Sequence, residues 1–196
     1  MRNIVFILLL LAAQCTAPTP KVKPVRPYFD ITPFAKSLIS TQAIESGSVV
    51  KTTMVNGLKE EIQVAKTDSL FWAVELHTLV IANINKPSLE GAYLVEEQVN
   101  EPNSNLLQTI YTALPNTQSK VKKLIIKYLG QPKEIRQIWV ELETNNPVYA
   151  TNQRIHIWLN EYNGQLKIDS LISSGFNKTI FLDSMVFSSK VVVRAN

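Results

Sequence analysis

The side chains from which this chain could build chemistry are few: one cysteine, two histidines and three tryptophans in 196 residues. A single cysteine excludes an intramolecular disulfide and any Cys-rich zinc site. His77 and His156 lack H-x-x-x-H or H-E-x-x-H spacing, so neither a metal site nor a cofactor is expected. Nucleophilic catalysis fails on the same inventory. There is no G-x-S-x-G elbow, and neither histidine has a serine motif to serve. The carboxylate pairs Glu60-Glu61 and Glu96-Glu97 lie in strand-like segments, where adjacent side chains point to opposite faces and cannot form a dyad. All six glycines are isolated, which leaves no phosphate loop. The chain reads as a non-enzyme with no catalytic residue.

Binding chemistry remains. Arg154, His156 and Trp158 alternate along one strand and so share a face, and Trp139, with Gln137 and Glu141, extends that face from the preceding strand. An aromatic ring beside an imidazole and a guanidinium suits stacking on a sugar ring or a base. The plainer use of the same ladder is a solvent-side tryptophan covering neighbouring strands. His77 falls away from the polar strip of its helix and is expected at the core or its edge, bonded to a carbonyl. The formal net charge is only +4, and part of it lies in the first 26 residues. The cluster Lys120, Lys122, Lys123 and Lys127 reads as solvated strand faces, and no nucleic-acid partner is expected.

Cys15 has a different use. Arg2 precedes ten apolar residues, Ile4 to Ala13. That run is about half the ~20 residues a membrane-spanning helix needs, and the layout is that of a secretory signal. Leu11-Ala12-Ala13-Gln14-Cys15 resembles a bacterial lipobox, in which the cysteine is lipidated and becomes the first residue. Gln14 departs from the usual Gly, Ala or Ser at its position. Residues 16–27 hold four prolines, three basic residues and no acid. Such a segment favours extended polyproline II and holds a domain roughly 35–40 Å from its anchor at ~3.1 Å per residue. The expected organisation is therefore a signal peptide over 1–14, lipid-bearing Cys15 with a Pro-rich tether over 15–29, and one domain over 30–196.

These residues need elements to position them. Thr32-Pro33 starts a first helix that runs to about Gln42–Glu45. Asn56-Gly57 is a type I′ hairpin turn that sets Val49 opposite Val64, Lys51 opposite Ile62 and Val55 opposite Leu58. Asp68 or Thr67 caps a second helix, Ser69 to about Asn83, with Asp68, Glu75 and Thr78 on a narrow polar strip and apolar residues elsewhere. Such a helix is expected to be covered nearly all round. Strand signals then recur at Tyr93–Val99, Leu106–Leu114, Val121–Leu129, Ile135–Glu143, Arg154–Asn160, Gln165–Ser173, Thr179–Phe187 and Val191–Val193. The gaps between them are too short for parallel crossovers. The expected fold class is α+β: two N-terminal helices and a hairpin, then a long antiparallel β-meander curled around the apolar second helix.

The lipobox-like L-A-A-Q-C, the N-G hairpin and the stretch Trp72 to Pro87, followed by Tyr93, resemble uncharacterised cell-envelope lipoproteins of Bacteroidota. The resemblance implies an outer-membrane lipoprotein and carries no activity. The absence of acids between Cys15 and Asp30 implies, within that group, the periplasmic side. The expected role is a non-enzymatic binding or scaffolding module, held to the membrane by its N-terminal lipid, with an envelope protein or glycan as partner. The alternative is a carrier or sensor of an apolar ligand held between a curved sheet and a helix. A cavity of several hundred cubic ångströms between the two would mark the carrier; close packing would mark the binding module.

Overall fold

A computed structural model describes residues 28–45 and 47–194. Residues 1–27, and with them Cys15, the signal peptide and most of the tether, lie outside the described residues. The elements in chain order are α1 (Ile31–Glu45), β1 (Ser48–Val55), β2 (Leu58–Val64), α2 (Ser69–Glu75), α3 (His77–Ile81), a 3-10 turn (Pro87–Leu89), β3 (Tyr93–Asn100), β4 (Leu107–Ala113), β5 (Val121–Tyr128), β6 (Ile135–Asn145), β7 (Tyr149–Tyr162), β8 (Gln165–Thr179) and β9 (Leu182–Arg194). All nine strands belong to one antiparallel sheet in the order β2-β1-β9-β8-β7-β6-β5-β4-β3.

That sheet overturns the α+β expectation. Strands take up 55% of the structure and helices 18%, so the fold is mainly β. The reason lies in β1, which pairs with β9 from Ser48↔Arg194 to Val55↔Phe187. The N-terminal hairpin thereby becomes the sheet's edge instead of a separate unit. The second helix is also not an axis around which a meander curls. It breaks at Leu76 into two short pieces, both lying on one face of the sheet.

The hairpin itself has the register its turn dictates, with Val49↔Val64, Lys51↔Ile62 and Val55↔Leu58. Asn56 and Gly57 both have positive φ, as a type I′ turn requires. Asp68 caps α2, its Oδ1 accepting from the Phe71 N–H at 2.8 Å.

Strand alternation sorts the sheet into two unlike faces. One carries Leu124, Ile126, Ile138, Val140, Ile155, Ile157, Leu171 and Val191, all buried against Leu38, Trp72, Leu76 and Leu79 of the helical layer. Strand β8 keeps both Ile168 and Leu171 inside because a bulge intervenes: Leu159 pairs with Ile168 but Trp158 with Ser170. This explains why Leu171 breaks the alternation of its segment, and it turns Ile172 outward.

The polar strip of the second helix faces inward. Thr78 is buried and its Oγ1 accepts from Gln153 Nε2 at 2.7 Å. The Glu75 side chain is 8% exposed and accepts from Lys51 Nζ at 2.5 Å. The side turned to solvent instead carries Leu70, Val74, His77 and Ile81. His77 is thus exposed, not at the core. Hydrogen-bonding groups on the strip tie the short helices to the hairpin and to β7, and Trp72, Leu76 and Leu79 supply the apolar contact. Removing Lys51 would strand the Glu75 carboxylate, so Lys51→Met should cost about 2 kcal/mol. Urea denaturation would measure it, and Lys51→Met combined with Glu75→Leu should recover most of the loss.

Tyr28 and Phe29, at the end of the expected tether, pack on the core. Asn85 clamps Tyr28 at both backbone groups: Oδ1 accepts from the Tyr28 N–H at 3.2 Å, and Nδ2 donates to its carbonyl at 2.7 Å. The Tyr28 ring meets Tyr93 edge-on at 5.4 Å and Tyr111 at 5.9 Å.

At the other side of the molecule the four strands β6 to β9 run past the core. The six residues of β7 that precede Ile155, 149–154, contain no buried side chain, which at ~3.4 Å per residue makes a tongue roughly 20 Å long.

Candidate binding face

The second face of the sheet has none of the helices on it, and every side chain on it is exposed or half-buried. The register can be followed straight across: Glu96↔Ile110, Ile110↔Ile125, Ile125↔Trp139, Trp139↔His156, His156↔Ile172 and Ile172↔Lys190. Five consecutive strands therefore line up Ile110, Ile125, Trp139, His156 and Ile172 as one half-buried row. Such a row on an uncovered sheet face is an apolar strip of the kind that contacts a partner.

All four candidate residues, Trp139, Arg154, His156 and Trp158, stand on this face. Alternation puts three of them there from β7, and the β6–β7 register brings Trp139 level with His156. The imidazole of His156 stacks on the Trp158 indole, centroids 3.7 Å apart and planes 30° off parallel. The stacked imidazole and indole, with Trp139 beside His156 in register, make up an aromatic platform. Polar groups rim it. Gln137 Oε1 lies 3.0 Å from His156 Nε2. Arg154 Nε donates to Glu141 Oε1 at 2.8 Å, and Asn152 Nδ2 reaches the same oxygen at 3.3 Å.

Burial and the nearby Lys127 ammonium push the His156 pKa down to about 4. Lys127 itself pairs with Glu101 at 3.2 Å, so one member of the lysine cluster is engaged and largely buried. At neutral pH His156 is uncharged, with one ring nitrogen donating and one accepting. A neutral ring stacked on an indole is a flat surface with a hydrogen-bonding edge, suited to holding a ring-shaped ligand and unsuited to proton transfer at pH 7.

The same shift has a thermodynamic sign. The unfolded chain binds the His156 proton near pH 6.5 and the folded chain only near 4, so the unfolded state takes up more protons between these values. Stability should therefore fall as pH drops from about 6.5 to 4, then level off for this group. Thermal melts of His156→Gln across that range should show a flatter pH dependence than wild type.

A hollow of about 500 Å³ lies at one end of the face between the β1–β2 turn and the tongue, against Met54, Arg154, Phe176, Val186 and Ser188. Between sheet and helices, Leu76, Leu79, Leu124, Ile138, Ile155 and Ile157 have no exposed surface. Among the described residues no group of three His, Cys, Asp or Glu is placed to hold a metal ion, and no helix is long and apolar enough to cross a membrane.

Sequence reasoning missed Gln137's bond to His156 and the outward Ile172. The first needs the β6–β7 register, and the second is hidden by the β8 bulge. No family model, no curated protein and no solved structure matches the chain.

Proposed function

We propose that the protein is a non-enzymatic binding module of a bacterial cell envelope, anchored by lipid on Cys15 and facing the periplasm from the outer membrane, with an envelope glycan as partner. The observation that carries the binding role is the Trp139–His156–Trp158 platform on an uncovered sheet face. Aromatic faces stack on the apolar faces of pyranose rings, and the amide and guanidinium rim of Gln137, Asn152 and Arg154 supplies donors and acceptors for ring hydroxyls. The carrier alternative requires a space between sheet and helices. Close packing of the leucines and isoleucines there favours the binding module.

Titration of the full chain with N-acetylglucosamine oligosaccharides and lipopolysaccharide core oligosaccharide, followed by isothermal titration calorimetry, tests the platform. Saturable binding is expected. It should weaken at least tenfold in the Trp139→Ala/Trp158→Ala variant with the circular dichroism spectrum unchanged. The absence of saturation with both sugars, or equal affinity in the variant, overturns the glycan reading. Intact mass tests the anchor separately: wild type should carry diacylglyceryl and acyl groups and Cys15→Ala should not.

A further inference from the structure

Antiparallel order places the β1–β2, β4–β5, β6–β7 and β8–β9 turns at one end of the sheet, and the β3–β4, β5–β6 and β7–β8 turns at the other. The two ends differ in kind. The far end turns through residues 101–106, 129–134 and Asn163-Gly164; their large apolar side chains are Leu106, which is buried, and Leu129, 37% exposed, and they form no run. At the near end, Ile180-Phe181 makes the β8–β9 turn and is followed by Leu182. Phe181 is 84% exposed and Leu182 73%. Val148 and Tyr149 of the neighbouring turn are exposed as well. The two turns are level, since Tyr149 pairs with Thr179 and the Ile180 N–H donates to the Val148 carbonyl at 3.1 Å. Together they form the apex of the tongue.

We infer that this apex dips into a lipid surface, with Val148, Ile180, Phe181 and Leu182 among the acyl chains and Tyr149 at the headgroup level. Turn residues are ordinarily polar, and a run of three exposed apolar side chains on a protruding turn has no packing use within this fold. Shape favours lipid over a protein. Four strands at ~4.8 Å spacing give an apex roughly 15 Å wide, and a square of that edge, about 200 Å², falls far short of the ~800 Å² per partner that a stable protein interface uses. Charge does not oppose it: the β8–β9 apex itself carries Lys178 against Asp183 and so no net charge, and Lys59, near the β1–β2 turn, is already paired with Glu61 at 3.5 Å. Reach agrees too. Tyr28 is pinned against Tyr93, the first residue of β3, at the same end of the sheet as the apex. Twelve residues lie between Cys15 and Tyr28, and thirteen steps at ~3.1 Å could reach about 40 Å. A lipid on Cys15 and the apex can therefore share one membrane.

The inference rests on the reading that the chain lives at a membrane, and its test keeps the two apart. The full chain is labelled with an environment-sensitive dye at Phe181→Cys or, on the far end, at Asn163→Cys, and reconstituted into vesicles of phosphatidylethanolamine and phosphatidylglycerol. The dye at 181 should shift to the blue, and brominated acyl chains should quench it at least threefold more than the dye at 163. Equal emission and quenching at the two positions overturns the contact. A blue shift at 181 that grows with protein concentration without vesicles also overturns it, because the apex is then seated on a second copy. Intact mass of the same samples reports whether Cys15 carries lipid; where it does not, the anchor is removed and the comparison of 181 with 163 is made in Cys15→Ser, so that each chain carries one dye. Phe181→Ser/Leu182→Ser should release the apex with an unchanged melting temperature.

Discussion

Trp72→Ala should unfold this protein more readily than any other truncation in its helical layer, by roughly 3–5 kcal/mol. At ~2–4 °C per kcal/mol for a domain of this size, the melting temperature should drop about 10 °C or more. Trp72 is 1% exposed and is one of the largest fully buried side chains. It sits in a helix of seven residues followed by one of five, lengths at which propensity alone sustains nothing. Its indole also bonds outside the helix. Nε1 donates to Thr67 Oγ1 at 3.1 Å, and that hydroxyl donates to the Gly47 carbonyl at 3.2 Å, where α1 hands over to β1. Alanine would leave a cavity and remove the donor from which the Thr67 hydroxyl accepts, leaving only its bond to Gly47. Trp72→Phe keeps most of the volume and should lose only about 1–2 kcal/mol. If the two variants melt alike, the volume argument fails.

Gly175→Ala should be nearly as damaging, although it adds a single methyl group. A Cβ there would stand 2.1 Å from the Asn152 carbonyl oxygen and 3.0 Å from the Gln153 Cα. Both are backbone atoms of the adjacent strand, so no side chain can swing aside. Strands β7 and β8 must separate where Gly175 pairs with Gln153, and overpacking against backbone belongs at the upper end of the usual ~1–3 kcal/mol, or above it. The strain falls at the root of the tongue. Amide exchange should accelerate from Tyr149 to Asn152 and from Phe176 to Thr179 while the amides around Ile138 and Ile157 stay protected. Uniform acceleration across the sheet would show that the tongue is not separable from the core.

The local features that the sequence shows are those fixed by neighbouring residues. Asn56-Gly57 dictates a turn type and hence a register, and Asp68 caps its helix because the free amide of Phe71 is three residues away. The alternation of Arg154, His156 and Trp158 puts them on one face whatever lies beyond. Features that depend on distant partners were hidden. Nothing within Ser48–Val55 says that it will pair with β9, and that pairing is what turns an apparent α+β chain into one sheet. Glu75 and Thr78 look like a solvent strip because their partners, Lys51 and Gln153, stand far off in sequence. The Ile180-Phe181 turn contains no Gly, Pro, Asn or Asp, so Thr179–Phe187 reads as one strand and the apex disappears into it.

The same β1–β9 pairing sets an order of events. Ser48 meets Arg194 only after everything between them has been made, so the edge of the sheet is a contact of very long loop. Strands β3 to β9 can add one hairpin at a time, each closing a short turn. The first hairpin cannot reach its final place until β9 presents its free edge. Long-range pairing of this kind slows folding and prolongs the exposure of unpaired strands. A chain that crosses a membrane N-terminus first would hold its earliest segments longest in that state, which makes the interval before β9 arrives the period when a holding chaperone matters most.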